Sequence, residues 1–233
     1  MVVLANSVKR SHRCVAGKEI FASQGGWTPG LWVRPIDPAY EGAITLESIR
    51  CEDGRSPAML DIVDVPILKY AGDSHHPEDW IADTSRPWRR HGVFPFSKLD
   101  MLLDSPPHLW SMRTDPHKVI EGHVARMLRP ASLYFIKPDQ DVHVTISKET
   151  GRDQQAKLRR VLRLRHQGTD HEFAITDPLF EDHYFGGRRV FSERPLELDL
   201  PQTGRLFLCL SLTPPFHGAH YKIAATVWEN PPV

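Results

Sequence analysis

The side chains with the most chemistry to offer are cationic and aromatic. In Lys157-Leu158-Arg159-Arg160-Val161-Leu162-Arg163-Leu164-Arg165 the odd positions carry Lys157, Arg159, Arg163 and Arg165, with Leu158, Leu162 and Leu164 between them. Successive side chains of an extended chain point to opposite faces, so this segment predicts a strand with one cationic and one apolar face. A cationic strand face suits a phosphate chain; the competing reading is a solvated outer face paired with Glu149, Asp153 or Glu172. Trp32 with Arg34, and Trp88 with Arg86, Arg89 and Arg90, mix rings with charge, as stacking of unpaired bases requires. A tryptophan also serves as a core or rim residue. A third group, Lys9, Arg10, His12 and Arg13 with Asn6, reads as a charged loop between the first two strands, where clustered charge is otherwise simply solvated.

Metal and catalytic patterns are weaker. His75-His76 with Glu78 and Asp79, and His217 with His220, contain ligand-type residues. Neither has the spacing of a known metal motif, so no metal and no cofactor is expected. Asp177 with Glu181, Asp182 and His183 is the tightest acid–histidine group; it would either hold a divalent cation for phosphodiester hydrolysis or merely shape an Asp-Pro turn. No nucleophile elbow, Walker loop or dinucleotide fingerprint occurs, and no catalytic residue is assigned.

These residues need a scaffold, and composition says which kind. The chain has 233 residues, 40% apolar and 25% charged, which supports one or two folded domains and argues against disorder. Lys plus Arg equals Asp plus Glu at 29 each, so any surface attractive to nucleic acid must be local. Proline at 20 residues is nearly twice the usual share and favours short strands and turns. Cys14, Cys51 and Cys209 form neither a disulfide framework nor a C-x-x-C pair, and no apolar stretch reaches membrane-helix length. With no signal-peptide pattern after Met1, a cytoplasmic protein without membrane contact is expected.

Strands are predicted at Val2–Ala5, Leu31–Ile36 and Met59–Leu68, with Gly25–Gly30 a turn-rich connection. Thr45–Arg50, Phe96–Leu103 (with Ser97 as N-cap) and Lys118–Leu128 read as short helices. Further strands fall at Ser132–Lys137, Val142–Ser147, Leu158–His166, His171–Thr176, Arg205–Leu212 and Tyr221–Trp228. Thr150-Gly151 and Gly168-Thr169 supply hairpin turns, and Gly186-Gly187 a further loop. Strand follows strand in the second half with no intervening helix, which points to a small barrel or sandwich. The domain boundary is placed at Pro130, giving domains 1–129 and 130–233.

Taken together, several segments resemble the dual-OB-domain family. They are Leu4-Ala5-Asn6-Ser7, Arg13-Cys14-Val15-Ala16-Gly17, Trp32-Val33-Arg34-Pro35, Leu60-Asp61-Ile62-Val63 and His76-Pro77-Glu78-Asp79-Trp80. In the second half they are Ser132-Leu133-Tyr134, Thr176-Asp177-Pro178, Leu208-Cys209-Leu210-Ser211-Leu212 and Tyr221-Lys222-Ile223-Ala224-Ala225. The segment Gly26–Gly30 is longer than the family pattern. The resemblance implies a mainly β chain of two tandem OB-like small β-barrels with a short helical and irregular insertion. It carries no catalytic or binding residues across. OB faces commonly bind single-stranded nucleic acid or oligosaccharide. The expectation is therefore a non-catalytic binding module for single-stranded DNA or RNA, or a nucleotide-containing ligand. Its site would comprise Lys9, Arg13, Trp32, Arg34, Trp88, Arg89, Arg159, Arg163 and Arg165. The alternatives are a protein-interaction adaptor and a metal-dependent phosphodiester hydrolase.

Overall fold

A computed structural model describes residues 1–24, 26–110, 115–150, 156–186, 195–200 and 205–229. Gly25, Gly151, Asp153 and Gly187, each given a role above, lie outside them. The chain is mainly β, and its strands fall into two compact units. Unit 1 comprises Met1–Asp104 and Val124–Phe135; unit 2 comprises Ser105–His123 and Ile136–Val233. The division is thus not one cut at Pro130. The 105–123 stretch belongs with the second half because β8 (Lys118–Ile120), expected to be helical, pairs there as a strand.

Unit 1 begins as a meander of β1 (Val2–Lys9), β2 (His12–Ser23) and β3 (Gly26–Ile36). It adds β4 (Asp61–Asp64), β5 (Ile67–Tyr70), β6 (Asp79–Ala82) and β7 (Arg89–Val93) in the order β5-β6-β3-β2-β1-β4-β7. β6 runs parallel to β3 (Arg34 beside Asp79), whereas β5 and β6 are antiparallel. Pro66 separates β4 from β5, since proline lacks the N–H that continues a ladder. Gly26–Gly30 is strand rather than connection: Pro29 stands opposite Ile20 beside a register shift, a place where proline is tolerated. Gly17 lets β1 and β2 cross closely, because a Cβ there would lie 2.0 Å from the Val2 carbonyl oxygen. The core gathers Val3, Val15, Ile44, Ile49, Cys51, Val63, Ala82 and Trp88. Thr45–Arg50 forms turns, and Phe96–Leu102 is a 3₁₀-helix whose N-cap is Pro95 instead of Ser97.

The chain crosses into unit 2 within β9 (Leu133–Ile136). A second meander follows: β10 (Val142–Thr150), β11 (Ala156–His166) and β12 (Thr169–Ile175). Then come a short helix α1 (Phe180–Phe185), β13 (Leu196–Leu200), β14 (Leu206–Leu212) and β15 (Ala219–Glu229). The strand order runs β13-β10-β11-β12-β15-β14, with β8 on β15. β12 and β15 are parallel, and β14 and β15 antiparallel. Both units therefore share one connectivity: a three-stranded meander whose third strand lies parallel to the second strand of a later hairpin. In β10 the buried residues Val142, Val144 and Ile146 alternate with outward side chains, and β14 is buried throughout. Among the described residues the pairings leave each sheet an open path, and no closed barrel is formed.

Candidate nucleic-acid interface

The cationic strand forms where the alternation places it. β11 is the middle strand of the second meander, with Leu162 and Leu164 buried beneath it. The side chains of Arg159, Arg163 and Arg165 are 48%, 46% and 57% exposed. Each meets a carboxylate from its own strand pair. Arg159 reaches Glu149 at 3.0 Å, Arg163 reaches Glu172 at 3.1 Å, and Arg165 lies 3.8 Å from Asp170. Arg163 also donates to Thr145 Oγ1 at 2.6 Å, and the second oxygen of Glu172 takes His117 Nδ1 at 3.1 Å. Toward β13 the face turns acidic: His143 pairs with Asp199 at 2.5 Å and Thr145 donates to Glu197. Arg160 points to the other side and is bound to Glu181. Exposed pairs of this kind contribute only about 0–1 kcal/mol each, so a phosphate group can exchange with the carboxylates.

Unit 1 treats its candidates differently. Trp88 is fully buried in the core and offers no face to a base. Arg34 forks onto Asp79 with bonds of 2.5 and 2.9 Å, and both side chains are nearly enclosed. Burial opposes its charge, but hydrogen bonds to the Asp79 carboxylate hold the Arg34 pKa above its ordinary value. Trp32 lies opposite Lys18 across the β2–β3 ladder, with the Lys18 ammonium 5.3 Å from its ring centre. Its indole N–H donates to Asp104, which also accepts from Lys18 Nζ at 2.6 Å and from the Phe135 amide at 2.8 Å. Trp32 and Arg34 do share a face, as predicted, but they anchor chain segments on it and leave little for a ligand.

The expected first loop is almost absent. β1 continues to Lys9 and turns through Arg10 and Ser11 alone, with Arg10 at φ 56°. Lys9 Nζ donates to the Glu41 carbonyl, Arg10 pairs with the Glu41 carboxylate, and Arg13 is held by main-chain bonds to Ile44. Arg89 is exposed at the start of edge strand β7, opposite Asp64. The structure thus brings Arg159, Arg163 and Arg165 together on one face of unit 2, whereas Lys9, Arg13, Trp32, Arg34, Trp88 and Arg89 all belong to unit 1. Sequence reasoning omitted His143 and Thr145, whose outward places follow from the same period-two rule applied to β10.

The acid and histidine groups act as structural ties. Both oxygens of Asp177 accept backbone N–H bonds, from Leu179 and Val227, and burial pushes its pKa up. Asp73 accepts the amides of His75 and His76. Among the described residues no three His, Cys, Asp or Glu side chains are grouped as metal ligands. Nor is any described helix long and apolar enough to cross a membrane.

The chain is thus a mainly β protein of two units that share one connectivity, each opening with a meander. A family model for the dual OB-containing domain matches residues 1–227, and the chain belongs to that family. No curated protein and no solved structure matches it significantly.

Proposed function

We propose that the chain is a non-catalytic binding module for single-stranded nucleic acid, with the phosphate chain lying along β11 of unit 2. Each unit is read as an OB-like barrel, and β10–β12 occupy the meander face on which such folds carry oligonucleotides. The observation that supports this most directly is the row Arg159, Arg163 and Arg165, each about half exposed and restrained only by surface ion pairs. The acidic rim at Glu197 and Asp199 steers the chain toward β11 and β12. No residue described on the outer face between His143 and Glu172 is a large aromatic ring. Binding by this face is therefore ruled by phosphate contacts, with little base preference and strong salt dependence.

The test is a titration of labelled single-stranded DNA and RNA at several salt concentrations, with the wild type and Arg163→Ala/Arg165→Ala. The double variant is expected to weaken binding of all sequences alike. It should also reduce the salt slope by about 1.4, near 0.7 per lost phosphate contact. Equal affinity and slope for the two proteins remove β11 from the site. A protein partner is the second reading, favoured by apolar side chains left outside unit 1: Leu31 is 76% exposed, Leu68 64% and Phe21 55%. Absence of oligonucleotide binding by the wild type selects it.

A further inference from the structure

Unit 1 holds a concavity that the β11 face does not explain. The turns at 45–50 and 51–54 and the loop 84–87 line an open depression of about 340 Å³. The core creates it. Trp88 is drawn inward; its backbone N–H donates to the Arg50 carbonyl (3.2 Å) and its carbonyl accepts from the Glu52 amide (2.8 Å). These bonds pin the loop before Trp88 alongside the two turns, so that Arg86 and Arg50 line one depression from different segments. Arg86 comes from the basic cluster around Trp88 that the strand face leaves unused.

The two arginines of this lining, unlike those of β11, have no carboxylate within ion-pair distance among the described residues. Arg34, Arg55, Arg90 and the arginines of β11 are each paired with a carboxylate. Among the described residues neither Arg50 nor Arg86 makes a side-chain hydrogen bond or ion pair, although both are exposed. The Thr84 hydroxyl is likewise uncommitted, whereas those of Ser48 and Ser85 are engaged by Thr45 and Asp83. Glu47 and Glu52 share the lining without contacting either guanidinium within ion-pair distance. The site therefore offers two planar cationic forks for one ligand group and two carboxylates for another. Guanidinium forks match phosphate oxygens bidentately, and carboxylates accept from hydroxyl or amino groups. The volume is at the low end of the roughly 300–1,000 Å³ of small-ligand sites.

We propose that this depression binds a phosphate monoester about one nucleotide in size. Arg50 and Arg86 hold the phosphate, while Glu47 and Glu52 accept hydrogen bonds from sugar hydroxyls or base amino groups. The ligand is a free mononucleotide or the terminal nucleotide of a strand. The inference stands on unit 1 alone and is independent of binding along β11.

Isothermal titration at low salt with AMP, CMP, adenosine and inorganic phosphate tests it. A mononucleotide is expected to bind once per chain, at least about ten-fold more tightly than adenosine or inorganic phosphate, because both halves of the site engage only then. Arg50→Gln and Arg86→Gln should each weaken it by about ten-fold or more, whereas Arg163→Ala/Arg165→Ala should leave it unchanged. Circular dichroism checks that the variants, altered only at exposed positions, remain folded. A trinucleotide with a 5′-phosphate binding better than its 5′-hydroxyl form identifies the strand end as the source; equal binding of the two identifies the free nucleotide. No saturation by either mononucleotide at millimolar concentration overturns the proposal. So does binding that survives in the Arg50→Gln/Arg86→Gln protein, or adenosine binding as well as AMP.

Discussion

Arg34 and Trp88 carry the functional groups of a nucleic-acid contact but are used to build unit 1. With about one-eighth of each side chain exposed, the Arg34–Asp79 pair is a buried ion pair, and removing one partner strands the other charge. Arg34→Met is expected to cost about 3–5 kcal/mol of unfolding free energy. Arg34→Met/Asp79→Leu should recover much of that loss, because two charges then leave the interior together. Trp88→Ala should cost a similar amount, about 3–5 kcal/mol, from lost burial and the cavity left behind. Urea unfolding measures both, and oligonucleotide affinity of the folded variants should match the wild type. A loss of affinity with unchanged stability would show that either side chain meets the ligand after all. Trp32 differs in degree: half-buried and bonded to Asp104, it ties the 102–104 and 132–135 segments to the β2–β3 ladder through one shared carboxylate.

Within a single element, sign can be read from charge. On β11 the carboxylates of Glu149 and Glu172 compete with phosphate for Arg159 and Arg163. Glu172→Gln is therefore expected to raise single-strand affinity, by up to several-fold, since an exposed pair is worth about 0.2–1 kcal/mol. Anisotropy titration at fixed salt reads this; a fall in affinity would mean that Glu172 positions Arg163 for the ligand. The face of β11 was legible because a two-residue period survives any context. So was the β11–β12 hairpin, though its turn falls one residue earlier than the expected Gly168-Thr169: Thr169 already pairs with His166, and the two-residue loop Gln167-Gly168 has positive φ at both positions, as such turns require. What stayed hidden was non-local. Nothing near Arg34 announces Asp79, 45 positions away, and Lys118–Ile120 is too short to show a period before it meets β15. The family resemblance carried the tandem architecture; the exchange of 105–123 between units depends on that same distant pairing. The Arg50–Arg86 depression is equally non-local, since two turns and a loop come together only after Trp88 is buried.

For the molecule as a whole, zero net charge means that any attraction to nucleic acid is local and screened within about 10 Å at 0.1 M salt. Part of its pH response comes from the interior of unit 2. There Lys222 Nζ lies 3.0 Å from His171 Nδ1, both residues being about 2% exposed, and its other contact is the Asp115 carbonyl at 3.4 Å. Burial first, then the charges of Lys222 and His166, push the His171 pKa down to about 3 from 6.5. Burial pushes Lys222 down to about 8 from 10.5. In both cases the unfolded chain binds the proton more readily, and stability rises with pH wherever that holds. For His171 the window is pH 3 to 6.5: its contribution is complete above 6.5 and is lost progressively toward 3. For Lys222 the window is pH 8 to 10.5, with stability increasing as the folded amine loses its proton before the unfolded one. The melting temperature of wild type should therefore gain from Lys222 between pH 8 and 10. Lys222→Met should remove that gain and, because a buried amine with no described carboxylate within ion-pair distance is replaced by an apolar chain of similar length, raise stability at pH 7. Melting curves of the two proteins at pH 7, 8, 9 and 10 decide the matter. Parallel pH dependences would mean that Lys222 keeps its ordinary proton affinity in the folded state, and that a counter-charge sits closer to it than the Asp115 carbonyl.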